Sequence, residues 1–292
     1  MKLKGRIAIV TGGGRGIGKA IALALFREGA RLCIASRTES ELQKVAEEVR
    51  DAGGEVLTVR TDVVRMADVA KLTKKTLDKY GQIDILVNAA GTQGPIGPVW
   101  EVDLKHWKRT IEVNLFGTLM CCQATLPQMI RKRRGKIVNF SGGGGTSPLP
   151  RFTSYGVSKT AVIRLTETIA EEVRTFNVQV NAVAPGAVDT SLQDEVLAAG
   201  NRAGDLYERI KLLRETGQGG VPPELAAELV VFLVSDDSDG LTGRLVSAPH
   251  DNWRQWDANR IAEIMSDPWF TLRRIDPFTL KPILEKSSVL DE

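Results

Sequence analysis

Three residues have the types and spacing of a proton-transfer device. Tyr155 and Lys159 stand four apart in a stretch whose apolar periodicity predicts a helix over 154–176, so their side chains share one face. A phenol has an ordinary pKa of about 10 and is a poor proton shuttle at neutral pH. A neighbouring ammonium favours the phenolate and draws that value toward the working range. Ser141 follows a predicted strand over 136–140, and its hydroxyl suits it to orient the oxygen of a carbonyl or an alcohol. A Tyr/Lys pair at this spacing is most often surface decoration, so its meaning rests on the elements around it.

Those elements read as a nucleotide-binding sheet. Short apolar runs at 6–11, 31–35, 55–60, 83–87, 136–140, 178–183 and 244–247 alternate with helical stretches at 19–28, 38–52, 66–80, 104–133, 154–176 and 222–235. Strands alternating with helices imply parallel βαβ units, and strands with little polar alternation imply a sheet covered on both faces. The expected fold is α/β, a single doubly wound Rossmann-type domain that binds its ligands at the carboxyl ends of the strands.

The remaining motifs fall at those ends. The first strand runs into Thr11-Gly12-Gly13-Gly14-Arg15-Gly16-Ile17-Gly18, and a helix begins at once. Glycines there let backbone amides approach a pyrophosphate at the positive end of the helix. The strict G-x-G-x-x-G spacing is absent, so position after the first strand carries the reading. A NAD site usually places Asp or Glu at the end of the second strand for the ribose 2′-hydroxyl. Here the residues are Ser36 and Arg37, which together with Arg15 suit the 2′-phosphate of NADP(H). Asp62-Val63 and Asn88-Ala89-Ala90-Gly91 end the third and fourth strands. Alone, Asp62 reads equally as a helix cap and Gly91 as a turn glycine.

In this order the motifs resemble the short-chain dehydrogenase/reductase family over about residues 5–247. The resemblance extends to Asn114 as the active-site Asn and to Asn181–Gly186 as the Pro-Gly segment, with Ala89 in place of the second Asn of Asn-Asn-Ala-Gly. It implies a seven-stranded parallel sheet in the order 3-2-1-4-5-6-7. It also implies hydride transfer between NADP(H) and a carbonyl/secondary-alcohol pair. Tyr155 would be the general acid/base, Lys159 would bind the nicotinamide ribose and lower the Tyr155 pKa, and Ser141 would hold the substrate oxygen. Asn114 would anchor a water that relays protons through Lys159. Cofactor contacts would come from Gly12, Gly14, Arg15, Gly16, Ile17, Gly18, Ser36, Arg37, Asp62, Val63, Asn88, Ala89, Gly91, Tyr155, Lys159, Pro185, Gly186, Val188 and Thr190. Reduction of a ketone, 3-oxoacyl or keto-sugar substrate is the expected direction, in a homodimer or homotetramer. A catalytically silent NADP-binding sensor or scaffold is the alternative, disfavoured because Ser141, Asn114, Tyr155 and Lys159 are all present.

Composition narrows the partners. Lys+Arg 39 against Asp+Glu 36 is too balanced to suggest nucleic acid or a membrane surface. No apolar run approaches the roughly 20 residues of a membrane helix. Cys33, Cys121 and Cys122 read as buried free thiols of a cytoplasmic protein, and two histidines leave no metal site in prospect. Residues 1–248 are expected to form the catalytic domain, with a mobile lid over 190–221. Gly142 to Gly145, next to Ser141, read as a flexible wall. Beyond 248 the strand/helix rhythm stops, and 249–292 carries Trp253, Trp256, Trp269, Phe270 and Phe278. That arm is expected to pack on the domain, beside the lid, or on a partner subunit across an interface.

Overall fold

The computed structural model describes residues 1–217 and 219–275. Seven parallel strands form one sheet: β1 (Ile7–Thr11), β2 (Arg31–Ser36), β3 (Val56–Arg60), β4 (Ile85–Asn88), β5 (Gly135–Phe140), β6 (Val178–Ala184) and β7 (Leu245–Ser247). Their spatial order is β3-β2-β1-β4-β5-β6-β7, as expected. The chain reverses direction across the sheet between β1 and β4, whose register pairs Thr11 with Asn88. A crevice opens at such a switch point, outside the carboxyl ends of the strands.

Helices cover both faces. They are α1 (Gly16–Arg27), α2 (Glu39–Asp51), α3 (Met66–Tyr80), α4 (Leu104–Ile111), α5 (Gly117–Lys132), α6 (Thr153–Val173), α7 (Ser191–Ala199), α8 (Asp205–Thr216), α9 (Pro223–Val234) and α10 (Ala258–Ser266). Because both faces are covered, β1, β4 and β5 are buried at every position. One apolar core gathers Leu25, Leu42, Val45, Val87 and most of α9; the other gathers Ile9, Leu72, Leu86, Met129 and Val180. Cys33, Cys121 and Cys122 are free and buried. Burial pushes the Cys33 thiol up to about 11 and Cys121 up to about 12, so neither is a nucleophile at neutral pH.

The stretch 104–133, read from periodicity as one long helix, is two helices joined by a π-helical turn, Glu112–Phe116. The extra residue in that turn swings Asn114 inward, where it is 1% exposed. No described helix is long and apolar enough to cross a membrane.

The arm's described part packs on its own domain. Trp253, Trp256, Ile261 and Ile264 are buried in the same core as α1 and α9. Phe232 of α9 meets the Trp253 ring at 5.8 Å, and Trp256 meets Phe270 at 5.0 Å. Buried Arg244 donates from Nη2 to the carbonyls of Ile264 and Asp267, each at 3.0 Å. The amide of Leu245 in β7 donates to the carbonyl of Phe270 at 2.7 Å, and the amide of Leu272 donates to the Glu167 carboxylate on α6 at 2.6 Å. Of the expected placements, the described residues take the one on the domain surface, where the large rings find apolar partners on α9. Phe278 lies outside the described residues.

Candidate active site

The groove at the strand ends is built by the turn between β1 and α1. Gly12 has φ +69°, and a Cβ there would stand 2.8 Å from the Ala90 amide nitrogen. The glycine lets the turn lie against the β4 end, which opens the crevice. Arg15, the N-cap of α1, makes no side-chain cap, and the first turn holds no acid. The first amides of α1 are thus available to an anion at the positive end of the helix. Such a cradle fits the pyrophosphate of a dinucleotide.

The groove spans about 1050 Å³ including its mouth. Of the residues selected from sequence, Gly12, Arg15, Gly16, Ile17, Gly18, Ser36, Arg37, Asp62, Val63, Ala89, Gly91 and Thr190 line it. The others stand elsewhere. Gly14 backs onto Glu41 and Ser36. Asn88 turns its amide into the sheet and donates to Asn139 Oδ1 at 2.9 Å, because a buried polar side chain must find a partner. Pro185, Gly186 and Val188 belong to the turn between β6 and α7, and the wall is reached beyond them by Thr190, Ser191, Leu192 and Glu195. Asp62 accepts from Arg109 at 3.1 Å and from the amide of Val64 at 3.3 Å.

Ser141, Tyr155 and Lys159 come together just behind the Gly91 wall. A Cβ on Gly91 would stand 3.6 Å from Lys159 Nζ and 3.4 Å from Asn114 Oδ1. Lys159 Nζ lies 5.6 Å from the Tyr155 ring centre and donates to the Phe140 carbonyl at 2.8 Å. Ser141 Oγ donates to the Lys159 carbonyl at 3.3 Å. The Tyr155 hydroxyl rests on the backbone of Gly142, where a Cβ would come within 2.2 Å of it. A Cβ on Gly145 would likewise come within 2.5 Å of Ser141 Oγ. Gly142 and Gly145 are therefore close-fitting positions, where a side chain would meet the Tyr155 and Ser141 oxygens.

Electrostatics depart from expectation as well. Burial holds the Tyr155 phenol up, at about 12, and holds the Lys159 ammonium down, at about 8. The ammonium was expected to lower the phenol. Desolvation wins, since Lys159, 6% exposed, directs its donor at the Phe140 carbonyl rather than at the phenol.

Asn114 ties the site together. Its Oδ1 accepts from the Thr92 amide at 2.9 Å, and its Nδ2 donates to the Thr92 carbonyl at 3.0 Å and to Ser158 Oγ at 2.9 Å. Ser158 Oγ in turn donates to the Tyr155 carbonyl at 2.7 Å. Thr92 and Ser158 were missed from sequence: Thr92 acts through its backbone, and the importance of Ser158 shows only once the π-turn aims Asn114 at it.

The lid closes the remaining side. Val196, Ala203 and Ile210 pack with fully buried Phe152, and the partly buried Ile96, Leu149, Tyr155, Leu197 and Tyr207 continue that apolar surface. Arg214 Nη2 clasps Asp189 at 2.9 Å and Asp194 at 2.6 Å, pinning α8 to the start of α7. Among the described residues no group of three His, Cys, Asp or Glu is placed to hold a metal ion.

A seven-stranded doubly wound sheet with a glycine cradle at its switch point and a Ser-Tyr-Lys cluster beside it defines a dinucleotide-dependent oxidoreductase scaffold. The family profile described as short chain dehydrogenase matches residues 6–200, and the chain belongs to the short-chain dehydrogenase/reductase family. It is 34% identical over 246 residues to the 3-oxoacyl-(acyl-carrier-protein) reductase FabG of Thermotoga maritima, covering 84% of this chain and 97% of that protein. It is 32% identical over 242 residues to 2-(S)-hydroxypropyl-CoM dehydrogenase 3 of Xanthobacter autotrophicus, covering 83% and 94%. Among solved structures, NAD+-bound xylitol dehydrogenase superposes with a TM-score of 0.79 at 29% identity, covering 85% of this chain and 98% of that one.

Proposed function

We propose that this chain is an NADP(H)-dependent reductase that converts a ketone with apolar flanks, 3-oxoacyl compounds included, to a secondary alcohol. The carrying observation is the convergence of Tyr155, Lys159 and Ser141 just behind the Gly91 wall of the groove, with Tyr155 packed against the apolar cluster of Phe152, Val196 and Ile210. Arg15 and Arg37 on the groove wall support the phosphorylated cofactor. The apolar cluster that Ile96, Leu149, Leu197 and Tyr207 form beside Tyr155 supports an acyl or alkyl flank over a sugar ring, whose hydroxyls find no partner on such side chains. The similarity to 3-oxoacyl reductases runs the same way.

A dinucleotide held along the Gly12–Gly18 turn and the Gly91 wall would supply the hydride that reduces the carbonyl carbon. Tyr155 gives its phenolic proton to the carbonyl oxygen, and Ser141 Oγ, released from the Lys159 carbonyl, holds that oxygen in place. Lys159 stabilises the phenolate left behind and binds the ribose. Asn114 keeps the Thr92 loop and the first turn of α6 in register, so the phenol and ammonium stay at the groove's end. Consumption of NADPH with a panel of ketones, 3-oxoacyl thioesters and keto-sugars tests the reading. The 3-oxoacyl and simple ketone arms should turn over fastest; turnover confined to keto-sugars would refute the apolar assignment.

A further inference from the structure

The adenosine end of the groove holds a carboxylate that the residues closing β2 do not reveal. Ser36 and Arg37 bring no acid, but α2 begins at Glu39, and its first turn brings Glu41 back onto the groove wall. Glu41 Oε1 lies 3.4 Å from Arg15 Nη1. A Cβ on Gly14 would stand 3.4 Å from Glu41 Oε2 and 3.1 Å from Ser36 Oγ, so glycine, serine and carboxylate share one corner. Among the described residues Arg15 is the ion-pair partner of Glu41, and the Arg15 side chain is 61% exposed.

An ion pair this open to water is weak and readily exchanged. A 2′-phosphate entering between Arg15 and Arg37 offers Arg15 a doubly charged partner, but it then lies beside the released Glu41 carboxylate. A free 2′-hydroxyl meets the opposite situation, because it can donate to Glu41 while Arg15 stays paired. We infer that Glu41 is the residue that sets cofactor preference. It accepts the 2′-hydroxyl of NAD(H) and surrenders Arg15 to the 2′-phosphate of NADP(H), so the groove takes both cofactors with only a modest preference for the phosphorylated one. The inference rests on the reading above, in which Arg15 and Arg37 bind that phosphate.

Calorimetric dissociation constants for NADP+ and NAD+, measured on the full chain at one fixed salt concentration, test it without turnover. Glu41→Ala should tighten NADP+ about fivefold and weaken NAD+ about fivefold, the scale of one charge-assisted hydrogen bond against a neutral one. Glu41→Gln, which loses the charge but keeps an acceptor, should retain the NADP+ gain and recover part of the NAD+ loss. Adenosine 2′,5′-bisphosphate should follow NADP+, and adenosine 5′-monophosphate should follow NAD+. Equal changes for both cofactors in Glu41→Ala, or no change in either, would overturn the role of Glu41. Arg37→Asp separates this from the underlying reading: if NADP+ binds that variant as tightly as wild type, the phosphate assignment fails, whatever Glu41 does.

Discussion

Lys159 is held against its own preference. Its usual pKa of 10.5 is lowered to about 8 by burial, a shift that corresponds to about 3 kcal/mol of folding free energy. Below pH 8 the folded chain carries a desolvated ammonium that the unfolded chain hydrates. Between pH 8 and 10.5 the unfolded state binds more protons than the folded one, so this penalty fades as pH rises. Lys159→Met should therefore unfold at a higher temperature than wild type at pH 7, by roughly 5 °C, and the gap should narrow toward pH 10.5. Thermal melts at several pH values check this; a gap that widens with pH would reject it. The proposed mechanism carries a functional cost at its partner Tyr155. Tyr155→Phe should lose all but about one part in 10³ of kcat while NADP+ binding is unchanged, since the ring and its packing remain. Retention of more than a tenth of kcat in a steady-state assay would require another acid. At this scale the identities of Tyr155, Lys159 and Ser141 were legible from spacing. Their proton affinities were not, because these depend on how much water the folded chain excludes.

Elements decide where those residues stand. The two-helix arrangement around Glu112–Phe116 escaped the sequence reading because a five-residue π-turn adds one residue without breaking the apolar rhythm on either side. Glu41 escaped it because the expected acid was sought at the end of β2, while the helix that follows delivers one from its first turn. The strands were legible, since buried β-branched runs leave little alternative. The glycines after Ser141 were legible as a motif, but the close approach at Gly142 and Gly145 was not, because it is a tertiary fact. Gly142 makes the sharpest test. A methyl group there would meet the Tyr155 hydroxyl, so Gly142→Ala should move the phenol by about 1 Å and lower kcat on the order of 10²-fold. Melting should show a cost of about 1–3 kcal/mol and calorimetry an unchanged NADP+ affinity. A kcat within threefold of wild type would mean that the hydroxyl need not sit against that backbone.

For the whole molecule, residues 249–275 decide whether the main core is complete. Trp253 and Trp256 are 4% and 7% exposed, and they share a cluster with Leu3, Leu25 and Leu229. Truncation after Ala248 leaves Phe232 and the Arg244 guanidinium without these partners. The truncated chain should aggregate or lose cooperative melting, and Trp256→Ala alone should cost about 3–5 kcal/mol in denaturant titration. A soluble truncated chain with an unchanged melting temperature would contradict this account. The arm's aromatic content was legible as a demand for burial; its destination was not, since sequence does not say which apolar face lies within reach.

The hydrogen bond from Leu245 to the Phe270 carbonyl has a bearing on synthesis. A chain emerging from the ribosome folds from its N-terminus, and β7 is the last strand to join the sheet. Until residue 256 has emerged, Phe232 stands without the indoles that later cover it, and until residue 270 has emerged the Leu245 amide lacks its partner. Leu3 waits as well, because the cluster it belongs to includes residues more than 250 positions downstream. The nascent protein therefore passes through an interval in which the whole Ser141-Tyr155-Lys159 cluster exists but its core cannot close. An open edge beside uncovered apolar surface is the combination that pairs with neighbouring chains. Early termination anywhere between β7 and Phe270 thus yields a sticky fragment rather than a smaller enzyme.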